Sequence, residues 1–274
     1  MTLLETPPAG WRAALELGFT ATGDITRLTH KRHLGPLRVQ RPFYPEGGPC
    51  HVYLVHPPGG VVGGDELRID VRVEAGAHAL LTTPAASKFY RSAGHTARQT
   101  ATLNVAGTLE WLPQETIYYP GALVRQNTRF QLAAGAKLIA WDAACFGLTA
   151  QAKPFDSGLL RQGLEVWRED RPLLIDQLRI DGAGDAPAAR WGLDGRTVLG
   201  TFVACPATRD DVEALRTAAG DDTDLAISLV DGVLIARAFG DHADAMMRRF
   251  TTLWRVLRPR LLGRDAVPPR IWAT

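Results

Sequence analysis

The sequence is poor in cysteine and has no long apolar run. Its 274 residues include three cysteines, Cys50, Cys145 and Cys205, which lie far apart and form no C-x-x-C pair. An odd number of isolated cysteines does not fit a disulfide framework, so a reducing, cytoplasmic location is expected. No apolar stretch approaches the roughly 20 residues that a helical membrane span needs. These absences exclude a disulfide-rich secreted protein and a helical membrane protein.

The sequence also has little excess of charge of either sign. Lysine and arginine total 31, aspartate and glutamate total 29, and the formal net charge is +2. So small a net charge attracts neither nucleic acid nor an anionic membrane. Residues 1–10 lack a basic region followed by an apolar stretch, so no signal peptide is expected. Partners are to be sought by shape and apolar surface.

The usual signatures of catalysis and nucleotide binding are missing as well. The sequence contains no G-x-S-x-G, no H-E-x-x-H and no phosphate-binding loop. Its most glycine-rich stretch, residues 59–64, is not followed by Lys-Ser or Lys-Thr and does not form the G-x-G-x-x-G pattern. A strand-like segment rather than a helix comes next, so a nucleotide site is not expected there.

What the sequence does have is a constrained stretch of prolines and glycines. Two prolines fix φ and remove backbone donors, while four glycines permit conformations closed to other residues. Asp65 ends the stretch, directly before the strand-like residues 67–73, and is either a turn-capping residue or a working ligand. The stretch comprises His56, Pro57, Pro58, Gly59, Gly60, Val61, Val62, Gly63, Gly64 and Asp65.

A second distinctive stretch, residues 82–92, includes Thr83, Ser87, Lys88 and Tyr90. Further motifs lie at residues 109–115 and 269–274. Together these motifs cover nearly the whole chain in order, and with them the chain resembles the urease accessory protein family called UreD (UreH in some bacteria). The resemblance implies a role in loading nickel into apo-urease.

The resemblance also implies a fold, partners and a cargo. The family is mainly β, with a solenoid-like (β-helical) winding of stacked strands. The chain is then expected to be a non-catalytic metallochaperone scaffold that binds UreF and, through it, the GTPase UreG, and that docks on apo-urease. Ni(II) is expected as a transient cargo, with no permanent cofactor. The chain departs from the family at Asp176, where relatives often carry Glu.

A weak internal repeat supports stacked strands. Ala-Gly pairs at residues 75–76, 106–107 and 134–135 each precede an apolar strand-like segment, and their glycines are 31 and 28 residues apart. Periods of this length are typical of stacked architectures. Aligning the glycines predicts that Thr83, Gln114 and Asp142 form a polar column. The alternative is that Ala-Gly is simply a common hairpin turn.

Several acidic and hydroxyl side chains are candidates for a nickel path. Ni(II) accepts oxygen ligands, and a transfer protein needs spaced, weak sites rather than a tight cage. Asp142 lies in the apolar segment 138–146, where an unpaired carboxylate costs several kcal/mol and needs a partner, water or a cation. The candidates are Asp65, Ser87, Asp142 and Asp176, with Thr83, Glu110, Glu115 and Gln114 as weaker ones.

The last third of the chain changes character. We predict a single domain of residues 1–274 with a β-rich part, 1–196, and a mixed α/β part, 197–274, that contains two helices. The first helix is expected to be capped by Thr208 and to end at Gly220. The second is expected to be capped by Asp241 and to end before Pro259. The tail that carries Trp272 is expected to be docked, because its aromatic surface favours burial.

Two classes of function remain. The first is the nickel-delivery scaffold. The second is a β-solenoid hydrolase or lyase that uses paired carboxylates such as Asp65 and Asp142 as acid and base. Because no catalytic motif accompanies these carboxylates, the sequence favours the scaffold.

Overall fold

The structure, a computed structural model, describes residues 10–273. The prediction about a signal peptide concerns a segment of which residues 1–9 lie outside this range. The strands are β1 (Arg12–Thr22), β2 (Ile25–Leu34), β3 (Arg38–Val39), β4 (Cys50–Val55), β5 (Glu66–Val73), β6 (His78–Thr82), β7 (Ser87–Phe89), β8 (Ala97–Val105), β9 (Thr108–Trp111), β10 (Thr116–Tyr118), β11 (Leu123–Leu132), β12 (Lys137–Phe146), β13 (Leu159–Arg168), β14 (Arg171–Asp181), β15 (Val198–Cys205), β16 (Leu225–Val230) and β17 (Val233–Gly240). The helices are α1 (Arg209–Ala219) and α2 (Ala243–Leu262), with short 3-10 turns at Thr149–Gln151 and Arg270–Ala273.

The strands form two sheets. The first sheet has seven strands in the order β14, β13, β11, β8, β5, β1, β2. The second has ten: β16, β17, β15, β12, β9, β6, β4 and β3 follow one another, and β7 and β10 are attached beside β12. The prediction of a mainly β protein with two helices in its last third is therefore confirmed.

Consecutive segments of the chain alternate between the two sheets. β5, β8 and β11 are parallel neighbours in the first sheet. The strands that follow them, β6, β9 and β12, are parallel neighbours in the second. The predicted stacking of the three strands after the Ala-Gly pairs is thus present. The solenoid-like winding of the fold as a whole stays a prediction.

The register of these strands corrects the predicted polar column. Ala79 pairs with Leu109, and Leu109 pairs with Leu138, so equivalent positions lie 30 and 29 residues apart rather than 31 and 28. Because strand side chains alternate between faces, an error of one residue moves a side chain to the opposite face. Gln114 accordingly faces away from the side on which Thr83 and Asp142 lie.

Two apolar layers hold the fold together. One lies between the sheets and contains the buried residues of β1, where Leu15, Leu17 and Phe19 alternate with more exposed neighbours. The other lies between the second sheet and the helices and contains Trp141 and Trp254. Every strand in the middle of the second sheet therefore buries both faces.

The helices largely follow the sequence prediction. Thr208 caps α1 in a reciprocal capping box with Asp211, and Gly220 ends the helix. The predicted limits of α2 were wrong: its N-cap residue is His242 rather than Asp241, and Pro259 lies inside the helix, which ends at Gly263 with φ of 67°. Asp241 instead accepts a hydrogen bond from Arg196. None of the helices within residues 10–273 is long and apolar enough to cross a membrane.

The tail is docked, as predicted. The Trp272 ring packs against Trp141 and Trp254, with ring centroids 5.6 and 5.7 Å apart. Its indole N–H donates to the Thr82 hydroxyl at 2.9 Å. The tail thereby closes one end of the apolar layer beneath α2.

Candidate functional site

A cavity of about 200 Å³ lies between the two sheets. It brings together parts of both distinctive stretches and the apolar segment of β12. Among the residues singled out from sequence, those that line it are His56, Gly59, Gly60, Thr83, Ser87, Lys88 and Asp142. The cavity therefore brings together three of the nickel-path candidates, Thr83, Ser87 and Asp142.

The wall that the first sheet contributes carries a row of glutamines. Gln126 on β11 is directly in register with Gln99 on β8 and with Gln162 on β13. Gln126 also accepts a hydrogen bond from the buried Tyr118 hydroxyl. Sequence reasoning missed this row, although Gln126 and Thr128 interrupt the apolar series of inward-facing residues on β11. The row supplies neutral oxygen and nitrogen groups to an interior that is elsewhere apolar.

Asp142 is the acidic group of the cavity. It lies on β12 and faces the first sheet, and its Oδ1 accepts a hydrogen bond from Gln162 Nε2 at 2.9 Å. The part of its surface that is not covered by protein faces the cavity. Burial raises the pKa of Asp142 to about 6, the negative charge of Asp176 acts in the same direction, and the hydrogen bond from Gln162 opposes the shift. With this pKa the carboxyl group is mostly ionised at pH 7 and mostly protonated at pH 5.

Asp176 lies near Asp142 without lining the cavity. It sits on β14 and accepts a hydrogen bond from Arg237, a residue of β17 in the other sheet. This pair joins the edge strand β14 of the first sheet to strand β17 of the second sheet. Asp176 therefore acts on Asp142 through its charge, while its own carboxylate is held by an arginine.

Asp65 adopts the turn-capping geometry that the sequence left open. Its Oδ1 accepts the backbone N–H of Trp11 at 2.8 Å, and its Oδ2 accepts that of Val62 at 3.0 Å. The Asp65 side chain is buried, and its negative charge acts on the imidazole of His56. Burial lowers the pKa of His56, and the negative charge of Asp65 opposes that shift. Asp65 thus fixes the path of the glycine-rich stretch beside the cavity.

The glycines of this stretch allow it to pack against the second motif. Val61 N–H donates to the Lys88 carbonyl at 2.8 Å, and Tyr90 N–H donates to the Val61 carbonyl at 2.9 Å. A Cβ on Gly60 would come within 2.2 Å of the Tyr90 ring, and one on Gly63 within 2.3 Å of a side-chain oxygen. Two of the motifs that carry the family resemblance, residues 56–65 and 82–92, therefore form one structural unit.

Glu110 faces away from the cavity, toward α2. Its carboxylate is fully buried and accepts hydrogen bonds from His78, Trp254 and Arg258, the last at 3.0 Å. Burial alone would raise the pKa of Glu110, but the hydrogen bonds and charges of His78 and Arg258 outweigh it and lower the pKa to about 2. This buried ion pair ties the long helix to the second sheet.

Sequence reasoning did not anticipate the partner of Glu110. Arg258 lies near the end of α2, and its side chain is fully buried. A signal for this was present, because Arg258 follows Trp254 by four residues and so continues the buried stripe of α2. Glu115, the other weak candidate, lies in a surface groove beside α2 with Gln114 and Arg248.

Across the part of the chain that the structure describes, no three His, Cys, Asp or Glu side chains converge in a group able to hold a metal ion. The three cysteines are unpaired and buried. The acidic group that faces the cavity, Asp142, is accompanied by amides and hydroxyls.

A two-sheet β protein with two helices packed on one sheet, and with a polar cavity between the sheets, is the class that the fold and site define. The family model described as UreD urease accessory protein matches residues 12–273. The urease accessory protein UreD of Pseudomonas putida (strain W619) is 46% identical over 97% of this chain and 95% of its own length. Proteins of the same name from Alkalilimnicola ehrlichii and Klebsiella pneumoniae are 44% and 43% identical, over 97% and 100% of this chain and 92% and 99% of their own lengths. The chain belongs to the UreD family of urease accessory proteins.

Proposed function

We propose that this chain is a non-catalytic, cytoplasmic scaffold for urease maturation. It binds UreF and, through UreF, the GTPase UreG, docks on apo-urease and helps deliver nickel to the urease active site. Membership of the UreD family supports the accessory role. The observation that carries the delivery step is the acidic group Asp142 inside a polar cavity between the sheets.

The chemistry of the cavity suits a cargo that must leave again. Ni(II) accepts oxygen ligands, and Asp142, Ser87 and Thr83 offer a carboxylate and two hydroxyls. One carboxylate, with amides, hydroxyls and the cationic Lys88 around it, binds a divalent ion more weakly than a cage of several carboxylates, so release costs less. In this proposal Asp142 is the principal transient ligand, the hydroxyls are secondary, and Asp176 adjusts the charge at Asp142.

The alternation of consecutive strands between the two sheets also supports the proposal. Strands that alternate between two parallel-stranded walls are consistent with a solenoid-like winding and with a single unit over residues 1–274. Such a winding would leave an interior channel wherever small polar side chains replace large apolar ones. The glutamine row and Asp142 are such positions.

The alternative of a hydrolase or lyase with paired carboxylates receives less support. Asp65 and Asp142 were the suggested pair, but both oxygens of Asp65 accept backbone hydrogen bonds. Asp176, the other nearby carboxylate, is engaged by Arg237. Neither carboxylate is placed as the partner of Asp142 in acid and base catalysis.

Complex formation tests the scaffold role. Cells that produce urease, UreF and UreG without this chain are expected to contain inactive urease, and supplying the chain should restore activity. A tagged form of the chain should co-purify with UreF when UreG is absent and should retain UreG only when UreF is present. A folded, monodisperse chain that recovers no UreF would overturn the proposal.

A further inference from the structure

Four arginines form a row across the outer face of the first sheet. Arg125 on β11 is directly in register with Arg98 on β8 and with Arg161 on β13. Arg161 is in turn paired with Arg179 on β14. All four side chains are exposed. Because neighbouring strands lie about 4.8 Å apart, the row spans about 14 Å.

This arrangement places like charges side by side. Like charges on directly opposite residues of neighbouring strands destabilise a sheet. The positive charges at the two ends of the row are partly compensated by carboxylates. Arg98 Nε lies 4.0 Å from Glu66 Oε1, and Arg179 Nη2 lies 3.5 Å from Asp181 Oδ2. Within residues 10–273, however, the central Arg125 and Arg161 have no carboxylate within 4.0 Å. Two adjacent, uncompensated arginines are left at the centre of the row.

The row borders an open groove of about 830 Å³. The next position on the same face of these strands is occupied by the uncharged residues Thr100, Asn127, Gly163 and Gln177. Glu165 also lines the groove, but its carboxylate is paired with Arg129 at 2.6 Å. Gly163 is notable within a strand, because a Cβ there would come within 2.3 Å of the Asn127 Oδ1. A strand glycine of this kind marks a place where another chain can approach closely.

We propose that this arginine row is a docking surface for an acidic polypeptide segment of a partner protein. A guanidinium group binds a carboxylate with two parallel hydrogen bonds, and a row of four matches a series of acidic side chains. The amides of Asn127 and Gln177 offer hydrogen bonds to the peptide groups of such a segment.

A compact phosphate group fits the surface less well than an acidic segment. Tight phosphate sites use converging backbone N–H groups, whereas β8, β11 and β13 are central strands whose backbone groups are paired on both sides. The arginines are also spread along a line rather than gathered around one point.

The surface is separate from the transfer cavity. Arg125 and Gln126 are consecutive residues of one strand, so their side chains lie on opposite faces of the sheet. None of the four arginines lines the cavity, although Gln99 and Gln126 border both the groove and the cavity. The docking surface therefore does not depend on nickel passing through the interior, and its test is independent of urease activation.

Fluorescence anisotropy with a labelled peptide of eight glutamates tests the inference on the purified full chain. We expect saturable binding that weakens steeply with added salt, because it releases counterions. The double variant Arg125→Gln with Arg161→Gln should weaken binding at least tenfold. The matched control, Arg32→Gln with Arg72→Gln, removes two exposed arginines of the same sheet that lie away from the row and should change binding less than twofold.

Two further arms keep the test decisive. The single variant Arg161→Gln, which perturbs the sheet least, should weaken binding by about threefold. Equal losses in the row variant and the control variant would show attraction to the overall charge and would overturn the inference. Arginine-dependent binding of inorganic tripolyphosphate without binding of the peptide would also overturn it, in favour of a small-anion site.

Discussion

Replacing Glu110 by Gln should lower the free energy of unfolding by about 3 kcal/mol, the lower end of the usual cost of breaking one side of a buried ion pair. The change keeps the size of the side chain but removes its charge. Arg258 would then stay fully buried with Glu46, 2.7 Å away, as its remaining carboxylate partner, and Trp254 and His78 would bond a neutral oxygen. Urea denaturation followed by circular dichroism measures the effect.

A surface ion pair on the same helix provides the control. Arg248 donates to Asp244 one turn away, and both side chains are 70% exposed, so Arg248→Gln should cost no more than about 0.5 kcal/mol. The double variant Glu110→Gln with Arg258→Met should be less unstable than the two single losses predict together, since both charges leave the interior. If Glu110→Gln were as mild as Arg248→Gln, the ion pair would not hold the helix to the sheet.

Replacing Asp142 by Asn should have the opposite effect on stability. The pKa of this carboxyl group is raised from 3.8 to about 6 in the folded protein, so the folded state holds its proton more tightly than the unfolded state does. Folding stability therefore falls as pH rises from about 4 to about 6, and the loss is complete above that range. One pKa unit corresponds to about 1.4 kcal/mol, so a shift of about two units means that Asn should stabilise the protein by about 3 kcal/mol at pH 8 and by almost nothing at pH 4.

Unfolding measured at several pH values checks this expectation. Asn retains an oxygen that accepts the hydrogen bond of Gln162, so the change isolates the charge. Asp70→Asn is the control, because Asp70 pairs with Arg68 on the outer face of the first sheet. If Asp142→Asn lost stability at pH 8, the negative charge of Asp142 would already be compensated by other groups of the folded protein. The carboxylate would then not be available to bind a cation.

The sequence predicted much of the local structure. The β5 strand, the Thr208 cap and the end of α1 at Gly220 follow from short patterns of alternation and turn chemistry. Each of these depends on neighbours within about ten residues, which a single sequence displays directly. The limits of α2 were wrong because a proline in the last turn was assumed to lie outside the helix.

The candidate site was predicted only in part. Asp142, Ser87 and Thr83 line the cavity, whereas Glu110 and Glu115 lie on the side of α2. The two groups lie on opposite faces of the second sheet. Which face a side chain occupies depends on the register between strands that are about 30 residues apart in the chain. Spacing between turns gave that register with an error of one residue, enough to place Gln114 on the wrong face.

The glutamine row and the arginine row show the same limitation on a larger scale. Their members lie 27 and 36 residues apart along the chain, and no regular period connects them. Only the pairing of β8, β11 and β13 places Gln99, Gln126 and Gln162 side by side inside, with an arginine beside each of them outside. A row across strands is a property of the sheet and is hidden in the sequence of any one strand.

The most direct test of the account is nickel-limited activation of apo-urease by the purified complex of this chain with UreF and UreG. Asp142→Ala is expected to reduce the rate of activation at least tenfold while the complex stays assembled, because the transient ligand is lost and the fold is not. Asp70→Ala should activate urease as the unmodified chain does. Normal activation by an intact Asp142→Ala complex would contradict the account, and so would a loss of activation that is explained by loss of the complex.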